Sequence, residues 1–168
     1  MIGNFIESLE IGKQAEAYSE EYFRKHNIEY EGVQDEKEYQ LKSIDYKTSI
    51  GTVETKMNLN NALKYKSGLF IWIEISIGEK KGWWYLSEAK YYLFFNGNGY
   101  GIIIENNQAF KNLVNNLIEN GDRETNRFDY KLDKRKSGII TVKLMRLYIE
   151  QLENSNVNYK RIVKRKEL

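Results

Sequence analysis

The 168-residue chain has no cysteine, no proline and a single histidine, His26. Without cysteine there are no disulfides and no thiolate-held metals, which leaves carboxylates as the natural ligands for any metal ion. One imidazole cannot by itself support a histidine-rich zinc site. Long apolar runs are missing too. The most apolar stretch, GLFIWIEISIG, is too short to cross a bilayer and carries Glu74 at its middle. The opening residues, MIGNFIESLE, lack the basic start and apolar core of a secretion signal, so a soluble cytoplasmic protein is expected.

Hydrophobic residues make up 41% of the chain and aromatics 14%, which calls for a packed core rather than disorder. The length suits one domain over residues 1–168, with a basic C-terminal tail from about residue 156. Net charge is only +2, but it is unevenly spread. Residues 1–120 hold 13 Lys/Arg against 17 Asp/Glu, whereas residues 121–168 hold 13 against 7. That asymmetry permits a polyanionic partner.

Residues 11–27, IGKQAEAYSEEYFRKHN, have the spacing of an amphipathic helix. Ile11, Ala15, Tyr18 and Tyr22 form the expected core stripe, and Gly12, Glu16, Ser19 and Phe23 run beside it. Strands are expected at about Tyr39–Lys47 and Thr52–Met57, joined by TSIG, and at Leu69–Ile77. The segment GWWYLSEAKYYLFF reads as a strand running into a short helix or a further strand. NGNG, at Asn96–Gly99, marks a turn before the strand YGIIIE. NQAFKNLVNNLIENG is a helix with Gly121 as its stop. DRETNRFDYKLDKRKSG reads as a polar, basic loop, IITVKL as a strand and MRLYIEQLENS as a helix. The sum is a mixed α+β or α/β chain, with a central mixed sheet flanked by helices.

The chemistry gathers in IDYKTSIGTVETKMN, residues 44–58. Strand alternation puts Glu54 and Lys56 on one face. A turn centred on Ser49 and Ile50 then brings Asp45 opposite Glu54. Two carboxylates about 5 Å apart repel by roughly 3 kcal/mol at an effective dielectric near 20, and like charges directly opposite destabilise a sheet. Lys56 alone cannot offset two or three acids, whereas a divalent metal can. Mg²⁺, or Mn²⁺ in its place, suits such oxygen ligands. It leaves positions open for a phosphate oxygen and a water, with Lys56 beside it to stabilise negative charge. The plainer alternative for the same residues is a solvated hairpin with a cross-strand ion pair. Glu16, or Glu20 one turn later, would supply a further acid from the helix.

This pattern resembles the PD-(D/E)xK nuclease superfamily, which includes restriction endonucleases and archaeal-type Holliday-junction resolvases. Asp45 matches the first acid and ETK, residues 54–56, the acid–any–lysine element. GKQAE resembles the glycine-to-glutamate segment that opens resolvase-like members, with Glu16 as the helix-borne acid. GWWYLSEAKYY is similar to a segment of small phage-encoded members. The family's proline before the first acid is Ile44 here. The resemblance covers about the first 100 residues and implies a restriction-endonuclease-like core and Mg²⁺-dependent cleavage of DNA phosphodiesters. It places Asp45, Glu54 and the Thr55 carbonyl around the metal, with Glu16 and Lys56 as further catalytic residues. A structure-directed homodimeric nuclease acting on duplex or branched DNA is the leading expectation. A small restriction or homing endonuclease, and a non-catalytic nucleic-acid-binding protein that keeps the fold, are the alternatives.

Outside this cluster, Lys131, Lys134, Arg135 and Lys136 are the candidate phosphate contacts, with the tail cations Lys160, Arg161, Lys164, Arg165 and Lys166 as weaker candidates. A solvated surface accounts equally for these charges. His26 suits a helix-end cap. Of the adjacent Trp83 and Trp84, at least one should be core, and the aromatics of residues 91–100 should be core or interface.

Overall fold

The computed structural model describes residues 2–3, 5–61, 68–120, 128–135 and 138–162. Its first long element, α1 (Phe5–Lys25), ends by a sequence-encoded device. Asn27 takes a left-handed φ of 53°, which a short polar side chain tolerates. The Ile28 N–H then bonds the Phe23 carbonyl at 2.9 Å and the Asn27 N–H the Arg24 carbonyl at 3.4 Å. This is a Schellman ending, and its apolar contact is between Ile28 and Phe23 in the same core cluster. Arg24 and Lys25 oppose the helix dipole at the same end. His26 stacks on Tyr22 with ring centroids 4.4 Å apart. The buried stripe of α1 is Ala15, Ser19 and Phe23. Of the expected core stripe, Ile11 is 48% exposed and Tyr18 and Tyr22 are half-buried, so the buried face is rotated towards Ser19 and Phe23.

Next come β2 (Tyr30–Gly32), α2 (Lys37–Leu41), β3 (Tyr46–Thr48) and β4 (Gly51–Lys56), after a short N-terminal strand β1 (Ile2–Gly3). The hairpin register pairs Tyr46 with Val53 and Thr48 with Gly51, so the turn is centred on Ser49 and Ile50 as the sequence implies. The strand expected to begin at Tyr39 is corrected: KEYQL has no β-branched residue and forms α2, which Ser43 terminates at φ 48°. Ile44 is 5% exposed, packed in the core.

The remaining elements are β5 (Phe70–Ile77), β6 (Lys80–Lys81), α3 (Trp83–Leu86), β7 (Tyr91–Phe95), β8 (Gly101–Glu105), α4 (Gln108–Asn120), β9 (Phe128–Arg135), β10 (Gly138–Tyr148), α5 (Ile149–Glu153) and β11 (Tyr159–Ile162). GWWYLSEAKYYLFF thus resolves into helix α3 followed by strand β7. Within the segment expected to be a basic loop, Phe128–Arg135 is strand β9, paired along its length with β10, while residues 122–127, 136 and 137 lie outside the described residues. The expected helix MRLYIEQLENS is strand as far as Tyr148. Met145 and Leu147 bury against Ile73 and Ile71 with a period of two, and only α5 remains helical.

Two sheets result. One has the order β11-β8-β7-β4-β3-β2 and is mixed, since β4 runs parallel to β7 and the other pairs are antiparallel. The other has the order β1-β9-β10-β5-β6. Helix α1 covers one face of the first sheet, where Phe23, Tyr46, Val53, Leu93 and Phe95 form a core cluster. The opposite face carries Tyr92, Phe94, Ile102 and Ile104 against α4, α3 and the second sheet. The architecture is therefore mixed α+β, with a central mixed sheet flanked by helices. Among the described residues no helix is long and apolar enough to cross a membrane.

Candidate active site

Strand β4 distributes its side chains by alternation. Val53 and Thr55 face α1, and the Thr55 hydroxyl lies 2.6 Å from the Ser19 hydroxyl in a fully buried contact. Glu54 and Lys56 therefore face the other way. Their neighbours there are Tyr92 and Phe94, which stand beside them on β7, and Trp83. The Lys56 ammonium lies 5.9 Å from the centre of the Trp83 ring. The apolar floor puts two charged groups in a dry setting.

Within it, Lys56 Nζ meets Glu54 Oε1 at 2.6 Å. The Glu54 side chain is 3% exposed and that of Lys56 is 30% exposed, so the lysine forms the solvent side of the pair. Glu54 Oε2 is buried and has no hydrogen-bond partner among the described residues. A buried carboxylate oxygen left without a partner is costly.

Asp45 lies just before β3, where the hairpin ladder departs from strict register. Its N–H donates to the Val53 carbonyl at 2.9 Å, and its carboxylate Oδ2 accepts the Thr55 N–H at 2.8 Å. A strand residue directs its N–H and C=O to the same side. The Thr55 carbonyl therefore points towards Asp45, past the end of β3. Asp45, Glu54, the Thr55 carbonyl and Lys56 thus converge at one end of β4.

The electrostatics follow from burial. Desolvation pushes the Glu54 carboxyl up to about 8; Lys56 opposes the rise, and Asp45 and Glu74 add to it. Asp45 is also raised, chiefly by desolvation, with the Thr55 N–H and Lys56 pulling the other way. Burial works against the charge of Lys56, but Glu54, Asp45 and Glu74 outweigh it and hold its pKa above the ordinary value. Lys56 is accordingly an ammonium at neutral pH.

Glu16 lies on α1, which covers the face of the sheet opposite Glu54 and Lys56. Its carboxyl is raised by desolvation first and then by Asp45, Glu20 and Asp35, which puts it in the field of Asp45. The Tyr46 hydroxyl donates to the Glu16 backbone carbonyl at 3.4 Å and lies in the field of Glu20, Glu16 and Asp45 together. Among the described residues, no group of three or more His, Cys, Asp or Glu side chains is arranged to hold a metal ion.

The residue that sequence reasoning missed is Glu74. Its charge bears on both Glu54 and Lys56, and its Oε1 accepts the backbone N–H of Trp83 at 3.0 Å. The available signal was a charge in the middle of an apolar strand. Trp83 and Trp84 are buried, at 5% and 7% exposure, and Tyr92, Phe94 and Phe95 are core.

The basic candidates divide. Lys131 lines a cleft of about 560 Å³ between the end of β4 and the second sheet, together with Lys56, Glu74, Trp83, Asp129 and Arg146. Arg146 is held by Asp129 at 2.6 Å. Lys134 pairs with Ile139 and is exposed on the opposite face of the hairpin from Lys131. The side chain of Arg135 and all of Lys136, Lys164, Arg165 and Lys166 lie outside the described residues, as does the helix stop expected at Gly121. Lys160 and Arg161 are in β11.

Compared with known proteins, the chain matches no family model, no curated protein and no solved structure.

Proposed function

We propose that the protein is a divalent-metal-dependent DNA endonuclease with a restriction-endonuclease-like core, and that Asp45, Glu54 and Lys56 form its catalytic set. The observation that carries this reading is the buried Glu54 Oε2, without a hydrogen-bond partner among the described residues, in a site that also gathers Asp45, the Thr55 carbonyl and an ammonium. An ion-paired hairpin has no use for an orphaned carboxylate oxygen at 3% exposure. A divalent cation does. Helix α1 against the β3–β4 hairpin, with β7 parallel to the acid–any–lysine strand, supports the same reading.

The residues fit a hard cation: two carboxylates and a backbone carbonyl are oxygen donors of the kind Mg²⁺ and Mn²⁺ take. Asp45, Glu54 and the Thr55 carbonyl would hold it, and the bound ion would supply Lewis-acid neutralisation of phosphoryl charge and a more acidic water. The chain's own groups do the rest. The Asp45 carboxylate is fixed by the Thr55 N–H, so it is preorganised. Lys56 is already protonated and so serves as an electrostatic and hydrogen-bonding group for a phosphate oxygen or the attacking water, not as the general base. Glu16 tunes Asp45 from the helix. The aromatic floor of Tyr92, Phe94 and Trp83 keeps the site poor in water and strengthens each charge interaction.

DNA, duplex or branched, is the proposed partner, with Lys131 at the cleft and Lys134 on the outer face as phosphate contacts. A homodimer presenting two sites would suit structure-directed cutting of the resolvase kind. The test is a cleavage panel of supercoiled, linear and four-way-junction DNA. Cutting is expected in Mg²⁺ or Mn²⁺ and none in EDTA. A protein that cuts no substrate with either ion is not a nuclease. If Asp45→Ala cuts as well as the unaltered chain, the site is elsewhere.

A further inference from the structure

The second sheet runs on past the core as a ribbon of β9 and β10. These strands stay paired from Phe128 and Met145 out to Arg135 and Gly138, whereas β5 pairs with β10 only as far as Val142. Alternation divides the ribbon's side chains between two faces. Lys131 and Asp133 line the cleft. Tyr130, Leu132 and Lys134 point the other way, beside their β10 partners Lys143, Thr141 and Ile139. Phe128 and Met145 begin this same face inside the core. Beyond them it opens to solvent: Tyr130 is 66% exposed, Leu132 44% and Ile139 60%.

Single exposed apolar residues are ordinary, but three large ones side by side on one sheet face mark a binding surface. The charge on this face has one sign. Lys134 and Lys143 sit towards its two ends, and none of the six positions is an acid. The acids of β9 lie on the cleft side, where Asp129 holds Arg146. A second copy of this chain would set lysines against lysines. Six residues a side also fall far short of the roughly 20–30 in a stable protein interface. The partner that fits offers negative charge and flat apolar faces together. Duplex DNA offers phosphates but keeps its base faces stacked inside. Unpaired nucleotides offer both, and an exposed aromatic flanked by cations on a sheet is a platform on which bases stack.

We propose that the outer face of the β9–β10 ribbon binds unpaired nucleotides: a base stacks on Tyr130 beside Leu132 and Ile139, and Lys134 and Lys143 take the flanking phosphates. The inference deepens the nuclease reading by naming DNA with a single-stranded segment as the form bound, and it rests on that reading for its bearing on cleavage. Binding itself is independent of it.

Binding is measured in EDTA by fluorescence anisotropy of a labelled oligothymidylate and of a duplex of equal length. The unaltered chain should bind the single strand at least threefold tighter than the duplex. Tyr130→Ala should weaken single-strand binding about fivefold or more, the cost of one lost stacking contact. Tyr130→Phe, which keeps the ring, should stay within about twofold. Replacing Lys134 and Lys143 together by alanine should reduce the salt slope by about 1.4, from about 0.7 per phosphate contact. Because Tyr130 is exposed, the thermal midpoints of its variants should match that of the unaltered chain. No binding to the single strand, binding to the duplex as tight or tighter, or a Tyr130→Ala affinity within twofold of the unaltered chain overturns the platform. A dimer that Tyr130→Ala dissociates in sedimentation, with single-strand binding unchanged, makes the face a self-contact instead. If the chain binds the single strand through Tyr130 but cuts no DNA in Mg²⁺ or Mn²⁺, the nuclease reading fails and the platform stands. If Tyr130→Ala binds and cuts like the unaltered chain, the platform fails and the nuclease reading stands.

Discussion

Glu54 and Lys56, two residues apart on one face of β4, meet at 2.6 Å through one carboxylate oxygen, while the other oxygen of Glu54 is buried without a partner among the described residues. Half of this carboxylate is satisfied by the chain and half is not. The predictions below follow from that asymmetry and from the packing that maintains it.

Lys56→Met keeps the length of the side chain and its contact with Trp83 but removes the ammonium. If Lys56 stabilises charge on the phosphate or its attacking water, kcat should fall by about 10²–10³, the usual cost of losing one preorganised donor. KM for DNA should change far less. Steady-state cleavage kinetics decide this. A drop confined to KM would make Lys56 a DNA-binding residue only.

The pH dependence of stability has a definite sign. Folding raises Glu54 from an ordinary 4.5 to about 8, so the folded state holds a proton that the unfolded chain has released. In the metal-free protein, stability should therefore fall as pH rises from about 4.5 to about 8 and level off above that. Glu54→Gln should flatten much of this slope, while the smaller contributions of Asp45 and Glu16, also raised, persist. Urea midpoints measured across pH give both slopes. A steeper decline in the variant would contradict the assignment.

Helix α1 and β4 share a buried polar contact, Ser19 to Thr55 at 2.6 Å, and the Thr55 hydroxyl also lies 3.4 Å from the Ala15 carbonyl. Thr55→Val alone strands the Ser19 hydroxyl and should cost about 1–3 kcal/mol. Adding Ser19→Ala to it should recover part of that loss, because both partners are then apolar. Denaturant unfolding of the single and double variants checks the order. Equal, additive losses would show that the two hydroxyls are not coupled.

Gly82→Ala forces a methyl group into the Glu74 carbonyl. A loss of about 1–3 kcal/mol is expected from overpacking, together with a change in tryptophan emission, because Trp83 follows directly. An unaltered thermal midpoint would mean that β5 and α3 are not held at backbone contact.

How much of this was legible in the sequence depended on how local the cause was. TSIG and the alternation of GTVETK determine the hairpin and its register without outside help, so the Asp45–Glu54–Lys56 cluster could be read residue by residue. The amphipathic character of α1 was legible but its buried face was one stripe over: Ala15 is buried and Tyr18 and Tyr22 are half-buried, whereas the fully buried Ser19 and Phe23 come from the neighbouring stripe and Ile11 is exposed. FDYKLDKR carries charges on both sides and offers little periodic signal. It is a strand only because β10 pairs with it, a long-range fact. Glu74 was visible as an oddity in FIWIEISI, but its partner was not. That partner depends on β5 joining the second sheet beside β10 and on Gly82 folding α3 back over it.

Mn²⁺ titration of the unaltered chain and of Glu54→Gln, followed by the loss of the free-ion paramagnetic resonance signal, tests the central claim most directly. The account predicts saturable binding in the unaltered chain that is lost or weakened at least tenfold in Glu54→Gln. Equal binding by the two proteins, or no saturable binding by either, would contradict it.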